Sequence, residues 1–173
     1  IGGIWYSAAA MYENYKVNKT VEGIFSTARN VQNLISLKDS ESLGVNQLMN
    51  DFLIESNSIP SEWIKNGTIK TPLDSGFYFF AHPVALDTHF VIGIEGISKS
   101  ACISVVVDSS TIAAHARMKN PSVWDNSGNL NLINTTNPIG YFDNNFPVSP
   151  DMANSICADG ITIQFYFGYT RIN

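Results

Sequence analysis

The chain has 173 residues, of which 45% are hydrophobic and 14% charged, with 10 Lys+Arg against 15 Asp+Glu for a formal net charge of −5. That is too much apolar material for a disordered polypeptide and enough for one sizeable core, so a single domain spanning residues 1–173 is the simplest expectation. The acidic balance, with no run of basic residues to neutralise phosphates, sets nucleic acid aside as a partner.

From Ile1 to Ile35 apolar residues recur at spacings of three and four: Ile1, Ile4, Trp5, Ala8, Met11, Tyr12 and Tyr15, then Val21, Ile24, Phe25, Ala28, Val31 and Ile35. The pattern predicts one amphipathic helix of roughly 50 Å, about three times the average globular length and more than a small domain can cover. No Met opens the chain, and no Ser, Thr, Asp or Asn precedes Ile1 to cap the free N–H groups. The expectation is therefore a helix that was cut here, its first residues being the tail of an apolar membrane span; an ordinary N-terminal core helix fits the same spacing. The sequence itself holds no 18-residue apolar run, so a soluble piece is expected.

After a polar break at Lys38–Ser42, the residues Leu43, Leu48, Met49, Phe52 and Leu53 predict a second helix over 43–55, stopped by Ser56-Asn57-Ser58-Ile59-Pro60. Pro60, Pro72 and Asn66-Gly67 make 56–76 a structured loop leading to the sheet. Phe77–Ala81 is the first predicted strand. Thr88–Glu95 is the second, with Phe90, Ile92 and Ile94 on one face and Val91 and Gly93 on the other. Ser98–Asp108 is ambiguous: Ile103–Val107 has strand propensity, while Ser98 is a fair N-cap and Ala101, Cys102, Val105 and Val106 form a helical stripe. Thr111–Met118 reads as a strand. The stretch 119–148, rich in Asn, Pro, Ser and Gly, reads as a long irregular excursion of the kind that carries surface function. Ser149-Pro150-Asp151 has the N-cap, N1 proline and first-turn acid of a short helix running to about Cys157. Ile161, Ile163, Phe165, Phe167 and Tyr169 then alternate with smaller or polar residues, which predicts a central strand.

No catalytic constellation emerges. Gly93-Ile-Glu-Gly-Ile-Ser-Lys99-Ser100 resembles a phosphate-binding loop but has Ser98 where a glycine should let backbone N–H groups wrap the phosphates, and no strand-end Asp accompanies it to hold Mg²⁺. His82, His89 and His115 lie in separate segments without i, i+4 partners, so no zinc shell or other metal site is predicted, and no cofactor. Asp39 with Glu41, and Asp108 with its serines, sit in polar turns, and no Gly-x-Ser-x-Gly elbow occurs; a non-enzymatic role is expected. The sequons at Asn18, Asn66 and Asn134 are ordinary in an Asn-rich chain, and a position inside a long helix argues against glycan use. Cys102 and Cys157 lie outside any CxxC motif; their number fits both a reduced cytosolic chain and an exported, bonded one.

Taken together, the uncapped helix, Phe90-Val-Ile-Gly-Ile-Glu-Gly-Ile-Ser-Lys-Ser-Ala-Cys102, and Ile156-Cys157 followed by Ile161–Gly168 resemble type IV pilins of the IVb class, the toxin-coregulated and conjugative thin-pilus kind. The resemblance implies an α+β fold, a long N-terminal helical spine packed on an antiparallel sheet. It implies helix over Ser98–Asp108 and a Cys102–Cys157 disulfide formed in the periplasm, bounding a variable region. It implies a structural subunit of an extracellular fibre, anchored in the inner membrane before assembly through a segment upstream of Ile1. Such a subunit homo-oligomerises through the helix face bearing Ile1, Ile4, Trp5, Ala8, Met11, Tyr12 and Tyr15, joins minor pilins, and serves adhesion, aggregation or colonisation of a host surface. Trp124, Tyr141, Phe142 and Phe146 are the candidate surface contacts, with buried packing as the plainer use of such aromatics. The alternatives are a minor pilin or a pseudopilin, for whose Ca²⁺ site Asp143, Asp151 and Asp159 are too dispersed, and, from another class, a secreted carbohydrate-binding or adhesin module.

Overall fold

A computed structural model describes residues 2–35, 49–84, 87–115, 122–124 and 147–169, with only the backbone described at 2–6, 81–84, 87–89, 113–115, 122 and 124. The periodic opening stretch forms one helix, α1 (Gly2–Leu34), of 33 residues. From Val17 onward its apolar stripe is core: Val17, Val21, Ile24, Phe25, Ala28, Val31 and Ile35 are buried. Two threonines lie within that buried half, and each satisfies its own hydroxyl on the helix. Thr20 Oγ1 donates to the Lys16 carbonyl at 2.9 Å and Thr27 Oγ1 to the Gly23 carbonyl at 2.7 Å, so neither hydroxyl is orphaned.

A short helix, α2 (Asn50–Glu55), ends where the expected 43–55 helix does but starts later, Met49 being its non-helical N-cap with φ −128°; residues 43–48 lie outside the described residues. Its first residue reaches back to a strand: Asn50 Nδ2 donates to the Phe77 carbonyl at 3.0 Å, and its Oδ1 accepts from the Phe79 N–H at 2.8 Å. A 3₁₀ turn (Ser61–Trp63) leads into a small hairpin, β1 (Ile64–Lys65) and β2 (Thr68–Ile69). Asn66 and Gly67 join its strands with φ of 52° and 75°, the left-handed pair that a two-residue hairpin turn demands. The expected loop thus contains its own strand pair.

The main sheet contains β3 (Gly76–Val84), β4 (Asp87–Ile97), β5 (Ser122–Trp124) and β6 (Ile161–Gly168), all antiparallel in the order β3-β4-β6-β5. The aromatic closing strand β6 is central, as its apolar payload predicts, while β3 lies at the edge, where Pro83 removes no needed ladder bond. Phe77, Phe79, Phe90, Ile92, Ile94, Val123, Ile161, Ile163, Phe165 and Phe167 line the inner face and are buried. Rings pass contact from helix to helix across this face. Phe25 of α1 meets Phe167 edge-on at 5.6 Å, Phe167 stacks on Phe90 at 5.5 Å, Phe90 meets Phe79 at 5.7 Å, and Phe79 stacks on Phe52 of α2 at 6.4 Å.

Two further helices belong to the described α+β fold: α3 (Lys99–His115) and α4 (Pro150–Ile156). This resolves Ser98–Asp108 as helix and corrects the strand expected at Thr111–Met118, since α3 continues through His115. The β-branched run is overruled by its context. Ser98 caps the start, its Oγ accepting from the Ala101 N–H at 3.2 Å, and Ala101, Cys102, Val105 and Val106 all face the core. Ser149 caps α4 by accepting from the Met152 N–H at 3.2 Å, as its sequence predicts. Cys102 in the first turn of α3 and Cys157 just beyond α4 form a disulfide with Cα atoms 5.8 Å apart, closing a separation of 55 residues. A loop of that size is stabilised by about 4 kcal/mol through loss of unfolded-state entropy.

The seating of α1 depends on Gly23, because a Cβ there would overlap the Trp63 ring, itself 2% exposed and unable to swing out. Helix propensity favours alanine over glycine by about 1 kcal/mol, whereas overpacking a rigid contact costs about 1–3 kcal/mol. Gly23→Ala is therefore expected to lower the denaturant midpoint with an unchanged m-value; a higher midpoint would show that α1 and Trp63 are not in this contact.

Candidate functional site

The feature that packing inside the domain does not use up is the outer side of α1. Ser7 to Tyr12 are exposed without interruption, and the large side chains Met11, Tyr12 and Tyr15 are 71%, 63% and 56% exposed. With Ala8 they fall at i, i+3, i+4 and i+7, one continuous stripe. The side chains of Ile1, Ile4 and Trp5, assigned to the same stripe from sequence, lie outside the described residues. Val17 is where the domain begins to cover the helix. Around the stripe, charge is neutralised locally: Lys16 Nζ pairs with Glu13 at 2.9 Å and sits 4.9 Å from the Tyr12 ring centre, and Lys19 pairs with Glu22 at 2.9 Å. The hydrogen bond to Glu13 raises the Lys16 pKa, the Glu13 charge adding to it. Exposed pairs of this spacing contribute only a few tenths of a kcal/mol, so their effect here is to leave no net charge beside the apolar stripe.

Further along the same side of α1 the helix becomes the floor of a trough. Lys19, Glu22, Gly23, Phe25, Ser26 and Arg29 line it from α1; Pro60, Glu62 and Trp63 wall it on one side and Ile112 of α3 completes it, enclosing about 390 Å³ open to solvent. Ile112 is 39% exposed. Sequence reasoning missed this trough because its wall comes from the Pro60–Trp63 turn, whose approach to α1 has no local signature beyond a glycine in a helix.

The other residues singled out from sequence are not gathered into one site. Trp124 contributes backbone to β5, opposite Thr162, and its side chain lies outside the described residues, as do Tyr141, Phe142 and Phe146. Gly93 is mid-strand in β4, opposite Tyr78. At the α3 start the Lys99 N–H is taken by the Asp159 carboxylate, Oδ1 accepting at 2.7 Å; the helix end a phosphate would need already holds an anion of its own. His82 and His89 are register partners on β3 and β4, a proximity the strand assignments could have revealed. Among the described residues no three His, Cys, Asp or Glu side chains are grouped as a metal shell, and none of their helices is long and apolar enough to cross a membrane.

On the sheet's outer face, Gln164 bridges two phenols, its Nε2 donating to Tyr78 Oη at 2.9 Å and its Oε1 accepting from Tyr166 Oη at 2.7 Å. Burial pushes the Tyr78 and Tyr169 phenols up to about 12. No family model matches the chain, and a search of curated proteins finds no match.

Two measurements test this description. Because Ser7–Tyr12 is exposed throughout, its amides are expected to exchange orders of magnitude faster than those of Val17–Val31 in the dilute protein; equal protection would mean that the first half of α1 is covered. The raised phenols are protonated in the folded state while the unfolded chain begins to ionise near pH 10, so stability is complete below pH 10 and falls as pH rises from there to about 12. Phenolate absorbance of the native protein, compared with that of Tyr78→Phe and Tyr169→Phe variants, should therefore show these two phenols titrating late, coincident with unfolding. Their titration near pH 10 would place Tyr78 and Tyr169 in water.

Proposed function

We propose that the chain is a non-enzymatic structural subunit of a filament, of the type IVb pilin kind, that polymerises through α1 with further copies of itself. The observation that supports this most is the division of one helix into a buried half and an apolar exposed half. Fully burying a side chain of Met size stabilises by about 1.5–3 kcal/mol. Met11, Tyr12 and Tyr15 together therefore offer several kcal/mol, against an association cost of at least about 4 kcal/mol. One such contact is marginal; a lattice of repeated contacts is not. In this role the chain is exported, its disulfide forms in an oxidising compartment, and the fibre it builds, with minor subunits, lies outside the cell for adhesion or aggregation.

Expression of the full gene followed by electron microscopy with antibody against this domain should show filaments labelled along their length. Met11→Ser combined with Tyr12→Ser is expected to reduce filament yield at least tenfold while leaving the thermal midpoint of the isolated chain within a degree or two, since both positions are exposed. Label confined to tips would make the chain a minor subunit. A dispersed protein with no filaments, unaffected by the substitutions, would overturn assembly through α1.

A further inference from the structure

We propose that Asn50 is an edge guard: its side-chain amide and the Met49 N–H occupy the outer edge of β3 as a neighbouring strand would, and so keep β3 from pairing with the β3 of a second copy. This concerns the sheet, not α1, and stands apart from the filament reading.

The order β3-β4-β6-β5 leaves two end strands, β5 of three residues and β3 of nine. A long end strand with open N–H and C=O groups is a template on which another extended chain adds itself. In an antiparallel ladder the backbone groups of successive residues point alternately to the two sides. The Met49 N–H donates to the Phe79 carbonyl at 2.9 Å, so residue 79 faces away from β4, and with it residues 75, 77, 81 and 83.

These outward positions are closed almost one by one. The Ser75 carbonyl accepts from the Thr71 N–H at 3.3 Å, and Lys70 bridges Gly76. The Phe77 carbonyl accepts from Asn50 Nδ2 at 3.0 Å. The Phe79 N–H donates to Asn50 Oδ1 at 2.8 Å, so Asn50 and Met49 together give Phe79 both of the bonds that a paired strand residue gives. Asparagine suits this place because its side chain is itself an amide, a donor and an acceptor in one plane like the peptide group it replaces. At the far end Pro83 has no N–H to offer an incoming strand. Ala81 is left between the guard and the proline, and one residue is too few to seed a ladder. The guard is held in place from behind, where Leu53 is fully buried and Phe52 stacks on Phe79 at 6.4 Å.

The experiment uses the whole chain and three variants, with sedimentation velocity for size and residue-resolved amide exchange for pairing. Asn50→Leu keeps the bulk but leaves the Phe77 carbonyl and the Phe79 N–H without partners. It should raise the associated fraction about tenfold at high concentration, with the Phe79 and Ala81 amides becoming slower to exchange as concentration rises. Asn50→Asp keeps the acceptor and adds a charge that an incoming strand would have to bury, so it should stay monomeric. Leu53→Ala destabilises through a cavity while leaving the edge bonds in place, and should stay monomeric too. Equal association of Leu53→Ala would mean that association follows loss of stability, and a monomeric Asn50→Leu would mean that the edge needs no guard; either overturns the proposal. Should Asn50→Leu fail to fold, the unmodified chain still decides. Its Phe79 amide should exchange as slowly as those of the interior strand β4, and exchange at the rate of an open edge would refute the guard.

Discussion

Phe25 set edge-on against Phe167 fixes where α1 ends as core and begins as surface. The contact lies one ring from Phe90 and two from Phe79, so it aligns the helix with a ladder of aromatics that spans the sheet to α2. Moving α1 along its axis by one turn would take Phe25 off Phe167 and drive a larger residue into the space Gly23 leaves for Trp63. Polar contacts hold the same register. Gln32 Nε2 donates to the Gly168 carbonyl at 2.8 Å and Asn30 Nδ2 to the Ser58 carbonyl at 3.0 Å, one at the end of the central strand and the other at the turn after α2. With the lower half fixed at Val17–Ile35, the segment Ser7–Tyr12 stands clear of the described strands and is exposed.

The opposite end of the domain is held by covalent and electrostatic means. Cys102 and Cys157 clamp α3 to α4, and Asp159, two residues past the disulfide, accepts from the Lys99 N–H. A carboxylate there complements the positive end of α3, so the bond and the cap reinforce one geometry. Gly160, the next residue, donates its N–H to the Ile97 carbonyl at 2.8 Å and delivers the chain into β6. The central strand is therefore registered from both ends, by the disulfide region at Ile161 and by α1 at Gly168.

The parts of the fold legible in the sequence are those in which one period covers the whole element. The three-and-four spacing of α1, the alternation of β6 and of Phe90–Ile94, and the Ser149-Pro150-Asp151 cap each carry their own signal. The strand expected at Thr111–Met118 failed for a definable reason. Thr111, Ile112 and the valines before them favour strands locally, but Ser109, Ser110 and Thr111 donate to carbonyls three or four residues back and Val105 and Val106 are buried on one helical side. Tertiary burial outweighed a propensity difference of about 1 kcal/mol at most. The stripe at Met11, Tyr12 and Tyr15 was legible because it is periodic and local. The trough beside it was not, because Trp63 and Ile112 reach α1 from 40 and more positions away, and no pattern in the sequence ties Gly23 to a ring that distant.

Met11, Tyr12 and Tyr15 stay mostly exposed, and Lys16 lies over the Tyr12 ring, so packing among the described residues gives little reason for large apolar side chains at these positions. Exposed apolar residues scattered singly are unremarkable, but these form a stripe of their own on the side of the helix away from the buried Val17–Val31 face, beside ion pairs that cancel their own charge. The free energy such a stripe offers to a single neighbour is close to the cost of association. That balance favours a reversible contact in dilute protein and a cooperative one wherever each copy touches several others.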